Sequence, residues 1–400
     1  MNVAEHRVAN TQLLILGVAE QRNGLTVSWS DGHESFFHHI WLRDCCYCDI
    51  CGDSYSSKRY VVPSDLCLNS APQSVEIDNA GGLSVRWAPD GHQSHYDAGW
   101  LRRNCYDDAS RDLRRHKPRL WDCKLSVSQA EVDYADALNT DCGRLTFYRT
   151  LRDFGFVIVR DGPREPGSVA KVANMIGEMG ESAYTQIFDL TPKSKTRTIG
   201  NSTRHVPPHT DEAFRFSPPG VNILACVRPA KNGGDTVLTD GFNIASKLRA
   251  LEPECFELLA TRTHRFHRLH EGKLDQQANV RMIALDDRQE ICGVRVHTRA
   301  SGPMDLAADD VEPFYKAHHM LCQLMMAPEN QIRLRLNAGD TALFDNHRVL
   351  HARTEFTDPE RLMQICNVSR EEFHERLRIL ARKMGHLDEA EQVLASGMAY

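Results

Sequence analysis

No apolar run near the start of this chain approaches the roughly 20 residues a membrane-spanning helix needs, since the longest, Leu13 to Ala19, is only a fraction of that length. It also lacks a basic leader and a small-residue cleavage pattern, so the expectation is a cytoplasmic protein with no membrane partner. Positive charge is not in excess. Lys+Arg total 48 against Asp+Glu 54, a net charge of −6, and such a chain is poorly suited to a phosphate backbone, so no nucleic-acid partner is expected. Low-complexity tracts and internal repeats are missing, and a composition 41% hydrophobic and 26% charged belongs to a chain that folds. A nucleophile elbow, a Walker phosphate loop and a dinucleotide fingerprint are absent as well.

What is present in quantity is cysteine, but not in the pattern of a disulfide framework. Of 13 cysteines, four fall between Cys45 and Cys51 and the others are scattered singly. An odd total, one tight cluster and no secretion signal argue for reduced thiols and a metal. The CxCxxC spacing of Cys46, Cys48 and Cys51 lets three sulfurs converge on a tetrahedral ion. His92, in the Asp90-Gly91-His92 turn, is the preferred fourth donor, with His95 and Cys45 as nearby alternatives. A closed Cys₃His set has no open position, which suits structural Zn(II) rather than catalysis.

The patterning suggests two domains. Alternation at Leu25, Val27 and Trp29 and again at Ser84 to Trp87, with Asp-Gly turns, predicts a small zinc-binding β domain over residues 1–103. A charged, weakly helical connector is expected over 104–141. From 142 to 400 a larger domain is predicted: a helix ending at Gly155, a buried strand at Phe156 to Val159, and strand-like runs at Val221 to Val227, Thr236 to Asp240, Val294 to His297, Ile332 to Leu336 and Thr341 to Phe344. Helices are expected near 243–262 and 309–327. The fold class is mixed α and β with a β-dominated core, a double-stranded β-helix or jelly roll with flanking helices, rather than a doubly wound sheet.

On the extended segment Pro207-Pro208-His209-Thr210-Asp211, residues two apart project to one side, so His209 and Asp211 can face one ion. The segment Phe344-Asp345-Asn346-His347-Arg348-Val349-Leu350-His351 supplies a second imidazole from the same predicted domain. Two histidines and a carboxylate on one face of an octahedral ion leave three positions open, the facial triad of non-haem Fe(II) oxygenases.

These residues, with Ser217-Pro218-Pro219-Gly220, Gly233-Gly234-Asp235-Thr236 and Trp41-Leu42-Arg43-Asp44, resemble the γ-butyrobetaine and trimethyllysine hydroxylases, 2-oxoglutarate-dependent oxygenases of the taurine-dioxygenase type. The resemblance runs along nearly the whole chain. It implies that His209, Asp211 and His351 bind Fe(II), His347 having the wrong offset from Asp345-Asn346, and that Cys46, Cys48, Cys51 and His92 bind zinc. It implies further that Arg361 holds the distal carboxylate of 2-oxoglutarate, that Thr236 and Leu224 line that pocket, and that the chain forms a homodimer. The implied reaction hydroxylates an unactivated C–H of a small-molecule substrate, with 2-oxoglutarate and O₂ as co-substrates. His205, His297 and His318 read as ordinary core histidines.

The resemblance weakens at the substrate. Of the aromatic cage that holds a trimethylammonium group, Tyr184 and Phe188 occupy two positions, whereas Asn201 and Asn367 fall where tyrosines are expected. Asparagines that grip the substrate carboxylate align with Arg197-Thr198 and Thr298-Arg299, and an arginine adds charge and bidentate reach. The favoured expectation is therefore a small anion, an organophosphonate of the methyl- or aminoethylphosphonate kind. The alternative is γ-butyrobetaine or a related betaine. Outside the class stand a zinc-dependent hydrolase using the same triad and a non-catalytic binding protein.

Overall fold

The computed structural model describes residues 13–53, 55–182, 185–194 and 198–392. The chain divides into two compact units, the first ending at Arg115 and the second beginning at His116.

The first unit carries two antiparallel three-stranded sheets, Ile15–Gln21, Gly24–Trp29 and Glu34–His38, then Ala71–Ile77, Leu83–Ala88 and Gln93–Tyr96. Period-two alternation buries Leu25, Val27 and Trp29 on one face, where they meet Phe37, Leu83 and Trp87. Each buried indole keeps its donor satisfied: Trp29 Nε1 donates to Ser35 Oγ at 2.8 Å and Trp87 Nε1 to Ser94 Oγ at 2.9 Å.

In the second unit two sheets share a core. The larger has the order Phe188–Leu190, Leu362–Val368, Val221–Arg228, Thr341–Asp345, Phe156–Arg160 and Glu131–Asp133. The smaller has the order Val206–His209, Val349–Arg353, Thr236–Asp240 and Gln331–Leu334. Phe156, Ile158, Leu224 and Phe344 from the larger sheet pack with Leu238, Ile332 and Val349 from the smaller. The alternate residues Val157, Val159, Ile223 and Leu343 face the other way, onto helices Asp141–Phe154 and Arg370–Lys383. This is the jelly-roll arrangement, two sheets face to face with helices outside. A further core joins helices Gly241–Leu251, Pro253–Thr261 and Ala308–Met326 to the hairpin Thr263–His270 and Leu274–Arg281.

The connector expected over 104–141 is divided instead. Helix Asp108–Leu113 belongs to the first unit. Beyond it, Trp121 is buried against Phe156 with ring centroids 5.0 Å apart, its Nε1 donating to the Phe154 carbonyl at 2.7 Å, and Glu131–Asp133 pairs parallel to Phe156–Arg160. The charge of the segment concealed these anchors, because one indole and three strand residues suffice to bind it to the core. The helix expected over 243–262 is two helices, interrupted at Glu252-Pro253, where proline removes an amide donor. The strand expected at Val294 to His297 runs earlier, as Ile291–Val294.

Candidate active site

A cavity of about 410 Å³ opens where the two sheets and the neighbouring loops meet. His209 ends the strand Val206–His209 and is the register partner of His351 on Val349–Arg353, so cross-strand pairing sets the two imidazoles side by side with ring centroids 4.2 Å apart. Asp211 follows two residues later. His209 Nε2 lies 3.3 Å from Asp211 Oδ1, and His351 Nε2 lies 3.5 Å from Asp211 Oδ2. Glu212 takes a left-handed backbone, φ 50°, turning the chain sharply behind the carboxylate.

The electrostatics suit a cation. Burial alone would raise the Asp211 carboxyl, but the imidazoles of His351 and His209 outweigh it and hold that carboxyl well below the usual range. Burial pushes His351 down to about 3, so at neutral pH it is an unprotonated donor. His209 Nδ1 sits 3.0 Å from the Pro207 carbonyl, which orients the ring and turns Nε2 toward Asp211. His351 Nδ1 is buried without a partner. Two imidazoles and one carboxylate, their donor atoms within 4.8 Å of one another, fit a divalent iron with open positions. His347 does not join them: its backbone amide donates to Asp345 Oδ1, and its ring is absent from the cavity wall. His297, expected to be a core residue, lines the cavity with its ring edge-on to His209 and Nδ1 2.8 Å from the Thr210 carbonyl.

Arg361, Thr236 and Leu224 line the same cavity and are buried. The Arg361 guanidinium lies over the Phe356 ring at 4.9 Å, and no acid pairs with it among the described residues. Burial lowers it to about 10, still charged at neutral pH and suited to a carboxylate that arrives with a ligand. Gly234, φ +72°, leaves room for this side chain, since a Cβ there would stand 3.2 Å from Arg361 Nε.

The residues expected to contact substrate divide. Phe188, Thr198, Arg299 and Asn367 line the cavity; Asn201 and Thr298 do not. Each of these two sits in a 3₁₀ turn, Ile199–Asn201 and Thr298–Ala300, where successive residues point about 120° apart, so Asn201 turns away from the wall that Ile199 and Gly200 form, and Thr298 from the wall that Arg299 forms. Tyr184 and Arg197 lie outside the described residues. Sequence reading missed Arg268, which lines the cavity with Arg299. Arg299 is half-buried and its Nη1 has no partner; burial lowers its pKa, the Asp211 carboxylate opposes this and the charge of Arg268 adds to it.

In the first unit Cys46, Cys48 and Cys51 set their sulfurs 3.4, 3.6 and 3.5 Å from His92 Nε2, a closed tetrahedral donor set. Arg43 Nη1 donates to Cys51 Sγ at 3.4 Å. Of the alternatives, His95 is engaged with Ser84 Oγ at 2.7 Å, and Cys45 stands outside the group with its thiol pushed up to about 11 by burial. No cysteine is in a disulfide. His33, Cys105 and Asp107 also converge, but there Asp107 Oδ2 accepts from both partners while Oδ1 caps helix Asp108–Leu113, so the group is closed by its own hydrogen bonds.

A jelly roll with a His-x-Asp pair and a distal histidine on adjoining strands, opening on a cavity with its own buried arginine, defines a non-haem iron oxygenase. The chain belongs to the taurine catabolism dioxygenase TauD, TfdA family, whose model matches residues 112–367. Residues 17–102 match the model of a γ-butyrobetaine hydroxylase-like N-terminal domain. It is similar to a γ-butyrobetaine dioxygenase from Pseudomonas sp. (strain AK-1), 31% identical over 386 residues, 95% of this chain and 100% of the relative. It is also similar to the Homo sapiens γ-butyrobetaine dioxygenase, 26% identical over 90% of this chain and 95% of that one, and to the mitochondrial trimethyllysine dioxygenase of Rattus norvegicus, 26% identical over 86% and 82%. The chain is a 2-oxoglutarate-dependent non-haem iron dioxygenase, a hydroxylase that uses Fe(II), 2-oxoglutarate and O₂ on a small molecule. No helix among the described residues is long and apolar enough to cross a membrane.

Proposed function

We propose that this dioxygenase hydroxylates a compact substrate of the γ-butyrobetaine class, an acid group at one end and an amine-derived head at the other. In this reading His209, Asp211 and His351 hold the iron, and Arg361, with Thr236 and Leu224 beside it, receives the distal carboxylate of 2-oxoglutarate. The iron supplies the oxidation of the C–H bond. The chain's own residues bind and orient the two organic molecules and keep water from the reacting carbon.

The observation that carries the reading is Arg299. A half-buried guanidinium on the wall of the iron cavity, with Nη1 buried and unpartnered, is costly unless an anion meets it, and in this reading Arg361 serves the co-substrate. A second anion bound in the same cavity is then the substrate's acid group. The similar relatives named above act on γ-butyrobetaine and trimethyllysine, and they support a betaine over the phosphonate expected from the sequence. Phe188 offers an apolar face for the head group, and the carboxamide of Asn367 on the same wall favours a head that can donate a hydrogen bond, a less methylated amine. A second reading, a phosphonate of similar length, is favoured only by Arg268 on the wall beside Arg299.

The test is succinate release with Fe(II), 2-oxoglutarate and O₂ over γ-butyrobetaine, its less methylated amines, trimethyllysine and aminoethylphosphonate. The highest kcat/KM is expected within the γ-butyrobetaine series. Preference for the phosphonate would overturn the substrate and leave the dioxygenase standing. The same proposal includes one structural zinc at Cys46, Cys48, Cys51 and His92, and a homodimer. Elemental analysis should find zinc that Cys48→Ser removes together with stability, because binding energy at a closed site is folding energy.

A further inference from the structure

His351 accounts for one end of the segment Asp345 to His351 but not for the asparagine near its start, and nothing in the iron donor set explains the buried amide of Asn222. Both lie behind Asp211. Asn346 grips its backbone: Oδ1 accepts the Asp211 N–H at 2.7 Å, and Nδ2 donates to the Asp211 carbonyl at 3.0 Å and to the Pro219 carbonyl at 3.1 Å. Asn222, on Val221–Arg228, reaches the carboxylate itself. Its Nδ2 donates to Asp211 Oδ2 at 2.9 Å and to Asn346 Oδ1 at 3.3 Å. Each asparagine is 2% exposed, and sheet pairing of Val221–Arg228 with Thr341–Asp345 brings them together.

We propose that Asn222 and Asn346 are positioning residues that make Asp211 a one-oxygen ligand, Asn222 holding Oδ2 so that Oδ1 is left for the ion, and Asn346 fixing the backbone from which the carboxylate hangs. The inference rests on His209, Asp211 and His351 being the iron donors. Three protein donors on an octahedral ion leave three positions, two for the chelating end of 2-oxoglutarate and one for O₂. A carboxylate free to bind through both oxygens would take one of them. A carboxamide suits the task, because it donates without charge and does not compete for the metal as a second carboxylate would. Only donation engages Oδ2 in this way, so a side chain of equal volume with no donor does not replace it.

The experiment measures anaerobic Fe(II) affinity of the full-length protein by competition with a chromophoric chelator, and separately the melting temperature of the metal-free protein. Asn222→Leu roughly keeps the shape and removes the donor; Asn222→Ala also removes the donor, without apolar bulk, and carries the test if the leucine variant does not fold. Each is expected to weaken Fe(II) by about 10- to 100-fold, the usual cost of losing such a partner, while the metal-free melting temperature stays at the parent value. Unchanged Fe(II) affinity overturns the proposal. A matching fall in the metal-free melting temperature overturns it too, since Asn222 would then be a packing residue. Asp211→Ala is measured beside them: if it retains Fe(II), the donor assignment fails rather than the positioning role.

Discussion

Two of the arginines that line one cavity, Arg299 and Arg361, can be told apart by what each does to a Michaelis constant. Arg299 has an unpartnered Nη1 and Arg361 lies over Phe356 beside Thr236, so the substrate reading gives each its own anion. A hydrogen bond to a charged group contributes about 1.5–3 kcal/mol, or roughly ten- to a hundredfold in affinity. Arg299→Ala is therefore expected to raise KM for the acid substrate by that factor and leave KM for 2-oxoglutarate little changed. Arg361→Ala should do the reverse, and Arg361→Lys should recover little, because an ammonium lacks the planar fork. Initial rates of succinate release with each substrate varied in turn check the split; equal rises in both constants would deny the two arginines separate anions. The histidines allow a similar contrast. His351→Ala should abolish turnover and Fe(II) binding, whereas His347→Ala, whose ring is outside the cavity wall, should keep both.

At the scale of elements, the strands with apolar runs and glycine or asparagine borders were legible. Thr236 to Asp240 was read with its observed ends, and Phe156–Arg160 and Thr341–Asp345 within a residue. The hairpin Thr263–His270 and Leu274–Arg281 was not. Its sequences, THRFHRLH and LDQQANVR, are polar, with Phe266, Ala278 and Val280 the buried apolar residues beside a buried His264, so backbone pairing rather than apolar alternation defines them. Most members of the two converging clusters were readable because spacing carries them, as CxCxxC for Cys46, Cys48 and Cys51 and His-x-Asp for His209 and Asp211. Asn222 and Arg268 were not, since their roles come from strand register and a shared wall that no local pattern announces. Trp121 is the clearest case, one buried indole in a charged segment. Trp121→Ala is expected to cost about 3–5 kcal/mol, the usual range for a large core aromatic, with the lost bond to the Phe154 carbonyl included. Urea unfolding measures it, and a cost below about 1 kcal/mol would mean that the segment is not anchored there.

Across the whole molecule, buried histidines away from His209 and His351 make stability depend on acid. Burial lowers His264 to about 4, with neighbouring His318 acting in the same direction, and lowers His347 to about 4 and His374 to about 3, both also disfavoured by Arg370. In the unfolded chain a histidine titrates near 6.5. The unfolded state thus takes up protons first as pH falls, and stability that is full above about 6.5 declines until each folded value is reached, near 4 for the first two and 3 for the third. Each such histidine contributes about 1.4 kcal/mol per pH unit within its window. The Asp345 carboxyl, raised by burial but held below its ordinary value by Arg370, adds to the loss only at the acid end. Urea midpoints of the metal-free protein should therefore fall steeply from pH 6.5 to pH 4.5, and be nearly level from pH 7 to pH 8. His264→Phe should flatten the slope by about one proton, because the ring stacks on Phe314 and a phenyl keeps that packing without the titration, giving up only the 3.0 Å contact of Nε2 with Ser301 Oγ. A midpoint that stays constant down to pH 5 would mean that these histidines are as easily protonated in the fold as outside it.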